Sequence, residues 1–213
     1  MFTILIVTPK GGAGKTTIAT NLAAYLAGKR QRVALLDLDR QQSAARWLAR
    51  RPRGLPQIMA ADSAANNRSL RAAGIQWLVI DTPAGLHGED LADRVRQADA
   101  ILVPVSPSIF DFEATADLLA ELERLKSVRD GRRPVALIGS RVDGRTVAAS
   151  DLDEFLAPLS LDVLTHIRDA QAYVQAARAG LSVFDLPRSR GEELWEDWPP
   201  IFDWLQALMS ARK

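Results

Sequence analysis

The sequence predicts an α/β domain with a doubly wound, mostly parallel sheet flanked by helices. Two observations predict it. Short, nearly all-apolar runs alternate with helix-compatible segments along the chain, as strands buried on both faces of a parallel sheet require. A glycine-rich loop, Pro9-Lys10-Gly11-Gly12-Ala13-Gly14-Lys15-Thr16-Thr17, then joins the first apolar run to the first helix-compatible one. In such sheets ligands sit at the carboxyl ends of the strands.

Phe2–Thr8 is the first strand, short and apolar, and Lys15–Gly28 is the helix after the loop. On the same grounds further strands fall at Arg32–Leu38, Gln57–Ala60, Trp77–Asp81, Ala100–Val105, Val135–Ser140 and Val163–Ile167. The segments between them are placed as helices at Ser43–Arg51, Ala64–Ala73, Glu89–Gln97, Ala114–Arg129, Ala149–Ala157, Ala170–Ala179 and Gly191–Ser210. Pro199-Pro200 kinks the last of these or marks its true start. No repeat, low-complexity tract or linker interrupts residues 1–213, which are expected to form a single domain.

The glycine loop has the chemistry of a phosphate cradle. Glycines let the backbone turn tightly, so consecutive N–H groups converge on one anion. The helix beginning near Gly14 adds its positive dipole end. Lys15 is placed to reach the β- and γ-phosphates, and the Thr16 hydroxyl to ligate Mg²⁺. Strand, Gly-Lys-Thr and helix together distinguish this loop from a plain glycine turn. Asp37 and Asp39 close the second strand on one face, where they repel unless a cation or water separates them. The alternative is that they cap the helix from Ser43. Asp81 follows the apolar Trp77-Leu78-Val79-Ile80, and a buried strand can deliver such a carboxylate to a Mg²⁺ shell. Thr82-Pro83-Ala84-Gly85 then forms a turn able to respond to a γ-phosphate.

Composition narrows the classes. Of the 213 residues, 47% are hydrophobic and 25% charged, ordinary for a globular chain. The net charge of +1 leaves any basic surface to a local patch. No cysteine is present, which excludes thiolate-held iron–sulfur clusters, Cys₄ zinc and thiol catalysis. There is no signal-peptide pattern and no apolar stretch of about 18 residues, so a cytoplasmic location is expected. Arg50-Arg51-Pro52-Arg53 is the densest basic cluster, read as a solvated helix end and turn rather than a DNA site.

Lys10-Gly11-Gly12-Ala13-Gly14-Lys15-Thr16-Thr17 resembles the deviant Walker A box of the ParA/MinD family of P-loop ATPases, with every fixed position of the box present. The resemblance implies ATP and Mg²⁺ as cofactors, held by Lys10 through Thr17. It implies a homodimer formed on ATP binding, in which Lys10 crosses to the partner's nucleotide, as an arginine finger does. Leu36-Asp37-Leu38-Asp39-Arg40-Gln41 is similar to the family's Asp-x-Asp-Pro-Gln. That implies Asp39 as the residue acting on the attacking water, beside the catalytic Lys10 and Lys15. It also implies Asp37, with Thr16 and Asp81, on the metal side. Arg40 stands where the family usually has proline. Pro104-Val105-Ser106-Pro107-Ser108 is similar to a segment near the family's dimer interface. Gly139-Ser140-Arg141-Val142-Asp143 matches a strand end that borders adenine, so Arg141 and Asp143, with Pro187, are the candidates for the base.

In segregation members of the family, arginines matching Arg168 and Arg190 bind DNA without sequence preference. Arg188 and Arg178 extend that patch, and the competing reading is that these arginines pair with nearby acids. The chain starts at its first strand, so it resembles the short ParA class, without a separate N-terminal DNA-binding domain. The resemblance then implies a nucleoid-associated ATP hydrolase that segregates or positions a plasmid, chromosome or protein body with a cargo-bound, ParB-like stimulating partner. The alternative is a MinD-like membrane-associated regulator. Against it, the last helix carries Glu192, Glu193, Glu196, Asp197 and Asp203, with Arg212 and Lys213 only at the tip. An anionic membrane repels such a face. A metabolic P-loop enzyme is the third reading, and it would leave Lys10 without a role.

Overall fold

The computed structural model describes residues 1–62 and 67–212. Among them, the strands are β1 (Phe2–Ile6), β2 (Val33–Asp37), β3 (Met59–Ala61), β4 (Trp77–Asp81), β5 (Ala100–Val105), β6 (Val135–Val142) and β7 (Asp162–Arg168). They form one seven-stranded sheet in the order β3-β2-β4-β1-β5-β6-β7, and every pairing is parallel. β1 therefore sits between β4 and β5, where the chain's direction of winding reverses. That reversal opens the crevice in which ligands of such sheets bind.

The strands are apolar because both faces are covered. Phe2, Ile4 and Ile6 of β1 enter one core layer, whereas Leu5 and the following Val7 enter the other. The same two-residue alternation sends Ala100 and Leu102 of β5 one way and Ile101, Val103 and Val105 the other. The first layer is closed by α1 (Lys15–Gly28), α2 (Ser43–Arg50), α8 (Gln171–Arg178), α9 (Arg188–Trp195) and α10 (Pro199–Ala211). The second is closed by α3 (Asn67–Ala72), α4 (Gly88–Gln97), α5 (Ile109–Arg124) and α7 (Val147–Leu156). The short α6 (Lys126–Arg129) follows α5.

Most elements lie where the sequence places them, with instructive exceptions. The helix expected at Ala114–Arg129 starts earlier, at Ile109, and breaks at Leu125, whose ψ of 117° is extended. The expected Gly191–Ser210 helix is two: α9 ends at Trp195 and the double proline occupies the first turn of α10, where missing N–H groups cost nothing. β6 runs two residues past Ser140 through a bulge, with Arg141 at φ 59°. Of the helix expected at Ala64–Ala73, Ala64 and its neighbours lie outside the described residues.

The last helix belongs to the core. Trp198, Ile201 and Leu205 are essentially solvent-free, and the Phe202 ring stacks on Tyr25 of α1. The apolar residues of this helix are thus covered by the protein itself. No helix among the described residues is long and apolar enough to cross a membrane.

Candidate functional site

The glycine loop wraps the end of β1. Gly12 (φ 92°) and Gly14 (φ 81°) adopt backbone that side-chain-bearing residues avoid. A Cβ on Gly14 would lie 2.4 Å from the Ser140 hydroxyl of β6, so the loop approaches that strand closely. Lys15 opens α1 and is buried, its Nζ donating to Thr8 Oγ1 at 2.7 Å. Thr8 Oγ1 donates in turn to the Lys10 carbonyl at 2.7 Å. Thr8 is thus the brace of the loop, and the sequence reading missed it. Its only signal is its place, the last polar residue before the loop.

Across from Lys15, Thr16 Oγ1 donates to Asp81 Oδ2 at 2.7 Å. Asp81 is 1% exposed, and its Oδ1 is buried with no hydrogen-bond partner among the described residues. Burial pushes its carboxyl up from 3.8 to about 6, with the Thr16 bond opposing that rise and the Asp37 charge reinforcing it. Burial also lowers the Lys15 ammonium below its usual value, with the Asp81 and Asp39 charges opposing. A lone carboxylate oxygen beside a threonine hydroxyl, under a glycine cradle, is the donor set a Mg²⁺–phosphate group fits. The orphaned Oδ1 is the observation in favour of that fit.

Asp37 is the register partner of Asp81 on the neighbouring strand. Its Oδ1 accepts from Asp39 N and its Oδ2 from Ala45 N, both at 2.9 Å. The helix-capping role is therefore present, and the carboxylate's remaining lone pairs can still take a water of a metal shell. Asp39 Oδ1 accepts from Gln41 N at 2.9 Å, which turns the loop where Arg40 replaces the expected proline. The turn after Asp81 reaches the glycine loop: Gly85 N donates to the Thr8 carbonyl at 3.1 Å. Lys10 folds back on its own chain, its Nζ 2.6 Å from the Phe110 carbonyl oxygen and 5.6 Å from the Phe110 ring centroid.

The remaining candidates are arranged less tightly. Arg141 faces Asp169 at 3.7 Å. Asp143 is held by Arg145, whose hydrogen bonds pull its carboxyl down to about 2. Pro187 caps α9, and the stretch before it is tied to α1 by Val183 N donating to Asn21 Oδ1 at 2.8 Å. The expected DNA-binding arginines all have partners. Arg168 is clamped by Asp197, with Nη2 to Oδ1 at 2.8 Å and Nε to Oδ2 at 2.9 Å. That bonding raises its pKa further. Arg188 pairs with Glu192 one turn on, and Arg190 donates to Gln175 Oε1 at 2.9 Å. Arg51 departs from the expected solvated helix end: its side chain is 3% exposed and grips Asp185 with two bonds, at 2.8 and 3.1 Å.

A parallel sheet with a Gly-Lys-Thr cradle at its winding reversal and a buried carboxylate opposite defines a P-loop nucleotide-binding protein. The chain belongs to the CobQ/CobB/MinD/ParA nucleotide-binding domain family, whose model matches residues 4–183. It is 32% identical over 201 residues to the maintenance of carboxysome distribution protein A of Gloeobacter kilaueensis, covering 92% of this chain and 89% of that one. It is 30% identical over 183 residues to the chromosome-partitioning ATPase Soj of Thermus thermophilus, covering 70% and 73%. The fold matches a McdA–ATP complex from Cyanothece with a TM-score of 0.70 at 19% identity, over 99% of this chain and 96% of that one.

Proposed function

We propose that this chain is a ParA-type ATP hydrolase that positions a cargo on DNA. The single observation that carries the reading is the Thr16–Asp81 bond beside the buried Lys15, in a loop that also contains Lys10. Lys15 and the loop N–H groups bind the phosphates, and Thr16, Asp81 and Asp37 hold the metal. When bound, Mg²⁺ supplies charge neutralisation on the phosphoryl oxygens. Asp39 orients the attacking water through its carboxylate. Lys10 leaves Phe110 and crosses to the nucleotide of a second copy, so the dimer completes the site. Arg141, Asp143 and Pro187 border the base. Arg188 and Arg190 contact DNA phosphates; Arg168, held by Asp197, contributes least.

Hydrolysis then parts the dimer and releases the DNA, which places the working protein at the nucleoid. The names of the two curated relatives point to a carboxysome-type body or a chromosome as cargo, reached through a cargo-bound, ParB-like partner.

The test is ATP turnover with no added acceptor, together with the Asp39→Ala variant. The expected result is slow phosphate release by the wild type and an ATP-bound dimer of the variant in light scattering. A variant that stays monomeric with ATP, or retention on anionic vesicles instead of DNA, overturns the reading.

A further inference from the structure

The densest run of positive charge in the sequence includes none of Arg168, Arg188 and Arg190. From Arg40 to Ala61 the chain has Arg40, Arg46, Arg50, Arg51 and Arg53 and no acidic residue. From Ala170 to Phe184 it has Arg178 and again no acidic residue. The fold brings these two stretches together. Trp47 Nε1 of α2 donates to the Leu181 carbonyl at 3.0 Å, and Arg50 Nη2 to the Ala177 carbonyl at 3.2 Å. Gly180 is pressed so close that an added Cβ would lie 2.5 Å from the Arg50 carbonyl carbon. The buried Arg51–Asp185 pair fastens the same junction from within.

Arg51 neutralises Asp185, and that leaves the outer arginines without a counter-charge. Arg46, Arg50, Arg53 and Arg178 are exposed, and none of them has a carboxylate partner among the described residues. Arg46 and Arg50 lie one turn apart on the same face of α2. By contrast Arg168 and Arg188 are ion-paired and Arg190 is hydrogen-bonded to Gln175. Displacing a carboxylate costs a cation part of what a phosphate contact gives, whereas Arg46 and Arg50 each donate only to a backbone carbonyl, of Gln42 and Ala177, and keep their other donors for a phosphate.

We propose that the surface joining the C-terminal ends of α2 and α8, carried by Arg46, Arg50, Arg53 and Arg178, is the principal phosphate-contacting surface for duplex DNA. It rests on the DNA reading above and relocates most of the contact. The surface presents four guanidiniums and no exposed aromatic residue; beside them Val174, one turn before Arg178, is an exposed but small apolar side chain. That favours a phosphate backbone over a lipid surface, which binds through cations interleaved with apolar anchors.

The test measures binding of a random-sequence duplex to the full chain with ATP across a salt series. Removing two phosphate contacts lowers the log–log salt slope by about two. Arg53→Ala/Arg178→Ala is expected to show that loss with roughly tenfold weaker binding at moderate salt. Arg129→Ala on α6 is expected to leave the slope nearly unchanged, and Arg188→Ala to lower it by no more than about one. Circular dichroism and ATP-dependent dimerisation of the double variant are expected to match the wild type. If the duplex binds and the double variant keeps the wild-type slope, this surface is overturned and the DNA reading stands. If Arg188→Ala carries the larger slope change, the assignment is likewise overturned. A wild type that ignores the duplex overturns both. Binding to phosphatidylserine vesicles in place of DNA, lost in the double variant, would make the patch a membrane surface and sink the proposal.

Discussion

The glycine-loop centre and the late arginine segment use charge in opposite ways. At the loop, Lys15 and Asp81 are buried, and their surroundings work against their ionised forms. Around Arg168, a partly exposed cation is satisfied by a carboxylate already in place, raising its pKa. A group held short of its ideal partner is poised for a ligand, whereas a group already paired is holding structure. The contrast separates binding residues from clamps more sharply than residue type does, because both regions are rich in the same charges.

The largest expected effect falls on the buried lysine. Lys15→Ala should weaken ATP binding about a thousandfold, roughly 4 kcal/mol, in calorimetric titration. Retained affinity would mean that Lys15 serves only to fill the loop.

Next is Asp81. Its carboxyl is raised from 3.8 to about 6 in the folded nucleotide-free chain. Its contribution to stability is therefore full below pH 3.8 and lost as the pH rises through about 6. Asp81→Asn never ionises, so its stability relative to the wild type should climb across that interval and then level off. The gain should reach roughly 3 kcal/mol in denaturant melts, while Mg²⁺-dependent nucleotide binding is lost. A variant less stable than the wild type at neutral pH would show that the orphaned oxygen is not poised.

The clamp should behave in reverse. Arg168→Ala leaves the buried Asp197 without its guanidinium. It should lower stability by about 2 kcal/mol, the half-exposed arginine keeping the cost below that of a fully buried pair. Arg190→Glu, on an exposed residue with a neutral partner, should change stability by less than about 0.5 kcal/mol. It should weaken DNA binding only a few-fold. If Arg168→Ala were harmless to the fold and the more damaging to DNA binding, the clamp and the contact would have to exchange roles.

The same contrast explains what could be read from the sequence. Lys10 through Thr17, Asp37, Asp39 and Asp81 are legible because local spacing fixes them: each sits at a strand end or in a loop whose backbone the glycines dictate. Ser140 and Asp197 are not legible in this way. Their partners are chosen by the packing of β6 on the loop and of α9 and α10 behind β7, across separations that carry no periodic signal. The Thr8 hydroxyl bonds only within the loop, to Lys10 and Lys15, but a threonine ending a strand has no distinguishing pattern. Arg51 misled for the same reason: inside a run of arginines it looks solvated, and its ion-pair partner Asp185 lies far along the chain. The start of α5 was missed because Ile109 and Phe110 are apolar yet exposed, so they do not mark the helix face that meets the core.

Lys10 Nζ rests on the carbonyl oxygen of Phe110. One ammonium cannot stay on that oxygen and also reach a phosphate bound to another molecule. On the proposed dimer, a Lys10 that reached out would leave a vacated acceptor in the opening turn of α5, beneath a solvent-facing aromatic ring. An environment-sensitive dye at position 110 would make that departure visible, turning the protein into its own gauge of engagement.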